Sequence, residues 1–171
     1  MYQDFAEIYD ALMNDVDYES WAEHYTRLLS IFGIRGGKVC ECACGTGGLT
    51  LPLRRRGFQM TGVDLSREML WQAAQKARKN GMNIPFVQQD MRSLNLHKPV
   101  DAVIATCDGV NYLMTEEDLL SFFRAAKRAI RPGGRAGLRR FHTAQAEEYP
   151  GRGTDVRGPA GYHLSVAEYL A

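Results

Sequence analysis

Lys38-Val39-Cys40-Glu41-Cys42-Ala43-Cys44-Gly45-Thr46-Gly47-Gly48 reads as a buried strand running into a glycine-rich turn, and Leu49, Leu51 and Leu53 open a helix behind it. A second strand, Gln59-Met60-Thr61-Gly62-Val63-Asp64, ends in a carboxylate about twenty residues after the glycines. This is a pattern suited to holding a nucleoside. Glycines let backbone approach the ligand, and an acid on the next strand tip accepts the two ribose hydroxyls.

The other chemistry-bearing cluster is Cys40, Cys42 and Cys44, with Cys107 alone further on. Zinc sites use gaps of two to four residues and a second ligand cluster, and none follows here. Small buried residues lining one face of a central strand are the expectation, with no metal. The Arg54-Arg55-Arg56 run reads as a solvated helix end that complements the C-terminal dipole, not as a nucleic-acid patch.

These residues need a scaffold, and 171 residues are enough for one domain with a substantial core. With 21 basic and 20 acidic residues the net charge is +1, so no global field recruits nucleic acid or a membrane. Asp4, Glu7 and Asp10 stand where a signal peptide would carry a basic flank and an apolar run, and no stretch approaches spanning length. A cytoplasmic location is expected.

Residues 2–13 read as a helix with Tyr2, Phe5, Ala6, Tyr9 and Met13 on one stripe. Asp17 caps a second, with Trp21, Tyr25, Leu28, Leu29 and Phe32 at helical spacing, ended by Gly33; Gly36-Gly37 leads into the first strand. Ser66 caps a helix carrying Met69, Leu70, Ala73, Ala74 and Ala77, stopped at Asn80-Gly81. A strand over Ile84–Gln89, with Pro85 at its start, leads to Asp90, and Asp101–Cys107 is a continuous apolar run suited to a central parallel strand. Thr115-Glu116-Glu117-Asp118 resembles a capping box for a helix burying Leu119, Phe122, Phe123, Ala126 and Ile130. Arg131-Pro132-Gly133-Gly134 breaks it, and a fifth strand is expected near Arg135. Strands alternating with helices make the fold α/β with a parallel sheet.

Taken together and in order, Glu41–Gly47, Gly62-Val63-Asp64-Leu65-Ser66, Gln89-Asp90-Met91 and Arg131–Gly134 resemble class I S-adenosylmethionine-dependent methyltransferases. Tyr2-x-x-Phe5-Ala6-x-x-Tyr9-Asp10 and Cys107-Asp108-x-x-Asn111-Tyr112 narrow the resemblance to small bacterial members of unassigned substrate. It covers residues 1–137. It implies a Rossmann-like parallel sheet with helices on both faces, an N-terminal helical cap over 1–35, a cofactor-binding core over 36–138, and incomplete C-terminal strands.

The resemblance also implies roles by position. Glu41 would hold the methionine amino group, through water or backbone. Ala43 (where the family usually has glycine), Cys44, Gly45 and Gly47 would form the turn under the methionine moiety. Asp64 would take the ribose hydroxyls, Asp90 the adenine amino group, and the Met91 amide a ring nitrogen. Leu65 and Met69 would sandwich the adenine, Tyr9 would close over the sulfonium end, and Cys107 would line the same site. Asp10, Asp108, Asn111 and Tyr112 would face the methyl acceptor, with Tyr9 and Asp10 as a lid. Each position has a plainer reading too: Asp64 as a helix cap, Asp90 as a solvated loop acid, Met69 as core, Tyr9 as packing, Asp10 as helix surface.

A sulfonium methyl is already activated, so positioning and water exclusion carry most of the task. A general base is needed only for a protonated acceptor, and no residue is singled out as one. Asn or Asp followed by Pro-Pro and an aromatic, the signature of exocyclic amine acceptors, is absent, and a small-molecule acceptor is expected. Two other readings stand beside this one. A nicotinamide dinucleotide fits Gly45-x-Gly47, but Thr50 occupies the third glycine position of that fingerprint and no Tyr–Lys or His–acid pair follows. A catalytically inactive binder is the other.

Residues 139–171 carry Pro150, Gly151, Gly153, Gly158, Pro159 and Gly161 without sustained periodicity, and only Tyr162–Leu170 reads as a short strand or helix. The family continues with a strand, an acid, a Ser/Thr-Pro turn and a hairpin containing Trp-Gln-Asn, none of which is present. Read one base forward, Arg140–Gly151 can become DSTPPKLKNILG and Gly161–Tyr169 can become DIIYLWQNI, as the family pattern requires. The tail is therefore read as translated out of frame.

Overall fold

The computed structural model describes residues 8–10, 13, 16–106, 109–138, 155–157 and 163–165. Most of the helix expected over 2–13 lies outside them; residues 8–10 are helical.

Five parallel strands form the sheet: β1 (Gly37–Cys42), β2 (Phe58–Asp64), β3 (Phe86–Gln88), β4 (Val100–Ala105) and β5 (Ile130–Leu138), in the order β3-β2-β1-β4-β5. Side chains alternate across it. Val39, Met60, Ala102 and Ile104 face one layer, built from helices α1 (Tyr18–Ile31), α2 (Thr50–Arg55) and α3 (Arg67–Lys79). Cys40, Cys42, Val63, Val103 and Ala105 face the other, where helix α4 (Glu116–Ala129) packs. The α/β expectation with helices on both faces holds.

The caps read from sequence are in place. The Asp17 carboxylate accepts from the Ser20 amide at 3.0 Å, Ser66 Oγ from the Met69 amide at 3.2 Å, and Thr115 Oγ1 from the Asp118 amide at 3.1 Å. The arginine run is not simply solvated. Arg55 pairs with Glu19, and Arg56 Nη1 lies 2.7 Å from Glu19 Oε2, so the end of α2 is tied to the start of α1.

Four boundaries differ from expectation. β3 is limited to Phe86–Gln88, because Ile84 turns into the core and Pro85 offers no donor, although the Pro85 carbonyl accepts from the Gly62 amide at 3.0 Å. β4 runs from Val100 to Ala105. Ile130 belongs to β5, opposite Val100, and α4 buries the expected Phe122 and Ala126 together with Ala125 and Ala129, while Leu119, Phe123 and Ile130 are only partly buried.

 Ala129 closes that buried face one turn beyond Ala125. Arg131–Gly134 do not separate helix from strand but bulge out of β5 opposite Asp101, between the Val100–Ile130 and Ala102–Arg135 pairs. Asp101 secures this corner: Oδ2 accepts from the Lys38 amide at 2.6 Å and Oδ1 from Arg131. The guanidinium holds the Asp101 carboxyl below the usual carboxylate range. In the tail, β6 (Asp155–Arg157) and β7 (His163–Ser165) form an antiparallel pair, the second inside the stretch read as a short element and the first outside it.

Phe122 is 1% exposed and fills the layer between α4 and the sheet. Phe122→Ala is expected to lower unfolding stability by about 3–5 kcal/mol in urea titration.

Candidate functional site

From β1 the chain steps to β2 and β3 on one side, then returns to place β4 on the other side of β1. The carboxyl ends of β1 and β4 therefore face a crevice at a topological switch point, where open parallel sheets take their ligands. The glycine-rich turn lies there. Tyr9, Tyr18, Glu41, Ala43, Cys44, Gly45, Thr46, Gly48 and Leu49 line a cleft of about 20 Å³, room for about one water.

The turn is strained and held. Ala43 has φ of +53°, a left-handed conformation that costs an L residue roughly 1–2 kcal/mol. At Gly47, with φ of +77°, a Cβ would lie 2.9 Å from Leu51 Cδ1, so a side chain has neither the conformation nor the space. Asp64 pins the turn from below: Oδ2 accepts from the Gly45 amide at 2.8 Å and Oδ1 from the Ser66 amide at 2.9 Å. The carboxylate thus fixes the glycine turn and the start of α3 together.

Glu41 is the most unusual group. It is 1% exposed, and its carboxylate accepts from Thr50 Oγ1 at 2.5 Å and Thr106 Oγ1 at 2.7 Å. Burial is the main cause pushing its pKa up to about 7; the two hydroxyls pull it down, and the nearby Asp64 charge raises it further. Burial, followed by the Glu41 and Asp64 charges, also pushes the Cys44 thiol well above its ordinary value, so Cys44 is a neutral lining group. Cys42 is pushed up by its neighbour Cys40 and by burial. All three cysteines are buried and free, but only Cys40 and Cys42 line one face of β1 as expected; Cys44 lies in the turn beyond the strand. Among the described residues no group of three or more His, Cys, Asp or Glu is placed to hold a metal.

Residues 8–10 are bonded to the turn through Asp10. Asp10 Oδ1 accepts from Thr46 Oγ1 at 2.5 Å and Oδ2 from Lys76 Nζ at 2.7 Å, linking residues 8–10 to the turn and to α3. The Tyr18 ring lies over Gly48, where a Cβ would stand 2.6 Å from its Cζ.

The remaining expected residues sit along the neighbouring strand tips. Leu65 is 60% exposed immediately after β2, and Met69 is half-buried in the first turn of α3. The Gln89 amide donates to the Asp64 carbonyl at 3.1 Å, bringing Asp90 alongside the β2 tip. Asp90 caps the short turn Met91–Ser93, and Arg92 grips it through Nε and Nη2 while reaching Asp118 at 2.7 Å. That guanidinium holds both carboxyls below their usual range. Met91 is buried. Cys107 and Asp108 lie outside the described residues. Asn111 and Tyr112 fall on the turn Gly109–Tyr112, with Tyr112 81% exposed. That turn abuts the glycine turn: a Cβ on Gly109 would lie 2.3 Å from Ala43 Cβ.

Sequence reading missed Thr50, Thr106, Thr46, Tyr18 and Lys76. Only Thr106 had a signal, since alternation along β4 puts it on the face of Ala102 and Ile104, toward Glu41.

The Glu41 shift has a measurable consequence. Between about pH 4.5 and 7 the native chain keeps a proton that the unfolded chain has released, so this group's contribution to stability falls as pH rises through that window. Relative to Glu41→Gln, the parent chain is expected to lose about 3 kcal/mol of unfolding stability from pH 4.5 to above 7, read by denaturant titration across pH.

The arrangement has known counterparts. Residues 39–134 match the family model described as a methyltransferase domain. The chain is 38% identical over 135 residues to the Bacillus subtilis (strain 168) protein named "Putative methyltransferase YqeM", covering 78% of this chain and 53% of that one. It is 30% identical over 140 residues to a ubiquinone biosynthesis O-methyltransferase of Aeromonas salmonicida (strain A449), covering 81% and 52%. Among solved structures, an S-adenosylmethionine-dependent methyltransferase from Clostridium acetobutylicum superposes with a TM-score of 0.72 at 32% identity, covering 81% of this chain and 57% of that one. The chain spans about half the length of the curated relatives it matches. The match in sequence to this domain and in fold to these enzymes makes the chain a member of the class I S-adenosylmethionine-dependent methyltransferases.

Proposed function

We propose that this chain binds S-adenosylmethionine in the crevice beyond β1 and β2 and transfers its methyl group to a small-molecule acceptor. The observation that carries this reading is the buried acid of Glu41, held by two threonine hydroxyls and lining a cleft whose turn is pinned by Asp64. The donor set suits the cofactor: a buried acid for an ammonium, an acid at the β2 tip for two hydroxyls, and the exposed Leu65 beside it for an aromatic ring.

When bound, S-adenosylmethionine supplies a methyl group already activated by its sulfonium. The chain's own residues bind, orient and exclude water. Glu41 holds the amino group, the Ala43–Gly47 turn supports the methionine moiety, and Asp64 receives the ribose hydroxyls with the lone pairs left by the Gly45 and Ser66 amides. Asp90, immobilised by Arg92, takes the adenine amino group, beside the Met91 amide. Leu65 and Met69 flank the ring, and Cys107 lines the same site. Tyr9 and Asp10 act as the lid over this end of the site, where Asp10 is bonded to Thr46 and Lys76. The acceptor lies on the β4 side, near Asp108, Asn111 and Tyr112. The name of the ubiquinone-biosynthesis relative supports an oxygen on a small molecule. Among the described residues no helix is long and apolar enough to cross a membrane, and we place the protein in the cytoplasm.

A second reading is a binder without turnover. It goes with our reading of residues 139–171 as out of frame. Coding DNA whose codons cannot yield the two shifted strings would refute the frame reading.

Calorimetric titration with S-adenosylmethionine is expected to give saturable binding, weakened at least about tenfold in Asp64→Asn. Circular dichroism confirms that the variant folds. NAD is expected not to bind. Formation of S-adenosylhomocysteine on incubation with candidate acceptors separates enzyme from binder. A folded chain that binds NAD but not S-adenosylmethionine would overturn the proposal.

A further inference from the structure

Two acids serve the candidate site, and they are held by different kinds of donor. Asp64 is held by backbone amides, which can only donate. Glu41 is held by hydroxyls, Thr50 Oγ1 from α2 and Thr106 Oγ1 from the end of β4. A hydroxyl donates or accepts as it rotates, so the same pair can hold Glu41 as a carboxylate or as a neutral carboxyl without moving a heavy atom. Among the described residues no lysine or arginine is its partner. Its surroundings are the Asp64 carboxylate, which opposes a second negative charge, the Cys44 thiol, which burial keeps neutral, and the Tyr9 and Tyr18 rings that share the cleft. Asp10, over the turn, has its charge met by Lys76.

We propose that Glu41 is a proton-exchanging receptor for the ammonium end of the ligand: it loses a proton to solvent as that cation enters the cleft, so that binding and proton release are coupled. This rests on the S-adenosylmethionine reading of the site. One O–H bond of the carboxyl breaks, the proton passes to buffer, and the carboxylate left behind faces the ammonium. The threonine hydroxyls turn back to donate, and charge in the cleft is balanced only after the ligand arrives. An empty site thereby avoids an uncompensated buried charge beside Asp64. With the carboxyl half-titrated near pH 7, the coupling operates around neutrality.

The test is calorimetric titration of the folded chain with S-adenosylhomocysteine, which carries the ammonium but no sulfonium, in buffers of different ionisation enthalpy. Release of about half a proton per ligand is expected at pH 7, rising toward one at pH 6 and falling toward none at pH 8, with affinity dropping about fivefold from pH 7 to pH 6. Methylthioadenosine, which has the nucleoside without the amino-acid end, is expected to bind with no such release. Glu41→Gln is expected to bind S-adenosylhomocysteine more weakly, with no release and a flat profile from pH 6 to 7. Thr106→Val keeps the acid but removes one donor, and should move the midpoint of release to higher pH. Release that persists in Glu41→Gln, or that is equal for methylthioadenosine, would overturn the proposal. Binding without release at pH 6 to 7 would overturn it while leaving the cofactor reading intact. Failure of a folded chain to bind either ligand would overturn both.

Discussion

The site depends on one buried carboxylate caught between two threonines 56 residues apart in sequence, Thr50 and Thr106. Glu41 adds a side-chain link among three elements: it sits on β1, one donor opens α2, and the other follows β4, the strand already paired with β1. Desolvating a charge there is costly unless it is paired or neutralised. The hydroxyl pair meets part of that cost, and the raised pKa lets the neutral carboxyl meet the rest. The alternative, a guanidinium inside the sheet, would stabilise the empty state and compete with a cationic ligand for the same oxygens. The arrangement trades stability of the ligand-free chain for receptiveness at the cleft.

Asp64 complements it. Its carboxylate spans from the glycine turn to the cap of α3, so the strand tip, the turn and the helix start are tied together. The plainer reading of Asp64 as a local cap and the reading as a ribose acceptor are compatible, because each oxygen has a second lone pair. Arg92 does for Asp90 what the amides do for Asp64, and its second contact, to Asp118, extends the frame to the start of α4. The binding edge is therefore braced by short polar links along the strand tips, while the two apolar layers lie beneath.

What sequence could reveal follows the range of each interaction. Caps at Asp17, Ser66 and Thr115 were legible because donor and acceptor are three residues apart. The glycine turn and Asp64 were legible because a strand–turn–helix–strand unit fixes their spacing. Thr50 and Thr106 were not, because threonine is common in both strands and helix starts and its partner is named only by the fold. The buried face of α4 was misjudged toward Phe123 because alanines such as Ala125 and Ala129 carry little hydrophobic signal, yet small residues let the helix lie close to the sheet. Arg131–Gly134 read as a break, since a bulge opposite Asp101 and a loop share the same Pro-Gly composition. Asp10 was legible only as helix surface or lid, and its link to Lys76, 66 residues away, is named only by the fold.

The contact between Ala43 and Gly109 has an evolutionary consequence. The tips of β1 and β4 share room for a single methyl group, and here position 43 holds it, despite a backbone conformation better suited to glycine. Substitution at either position is conditional on the other: a methyl at 109 becomes admissible only after 43 has given its own up. The order of the two changes then matters. The path through glycine at 43 passes through a relaxed intermediate, and the reverse path through a clash. Two residues far apart in the chain are expected to drift as a linked pair among descendants of this sequence.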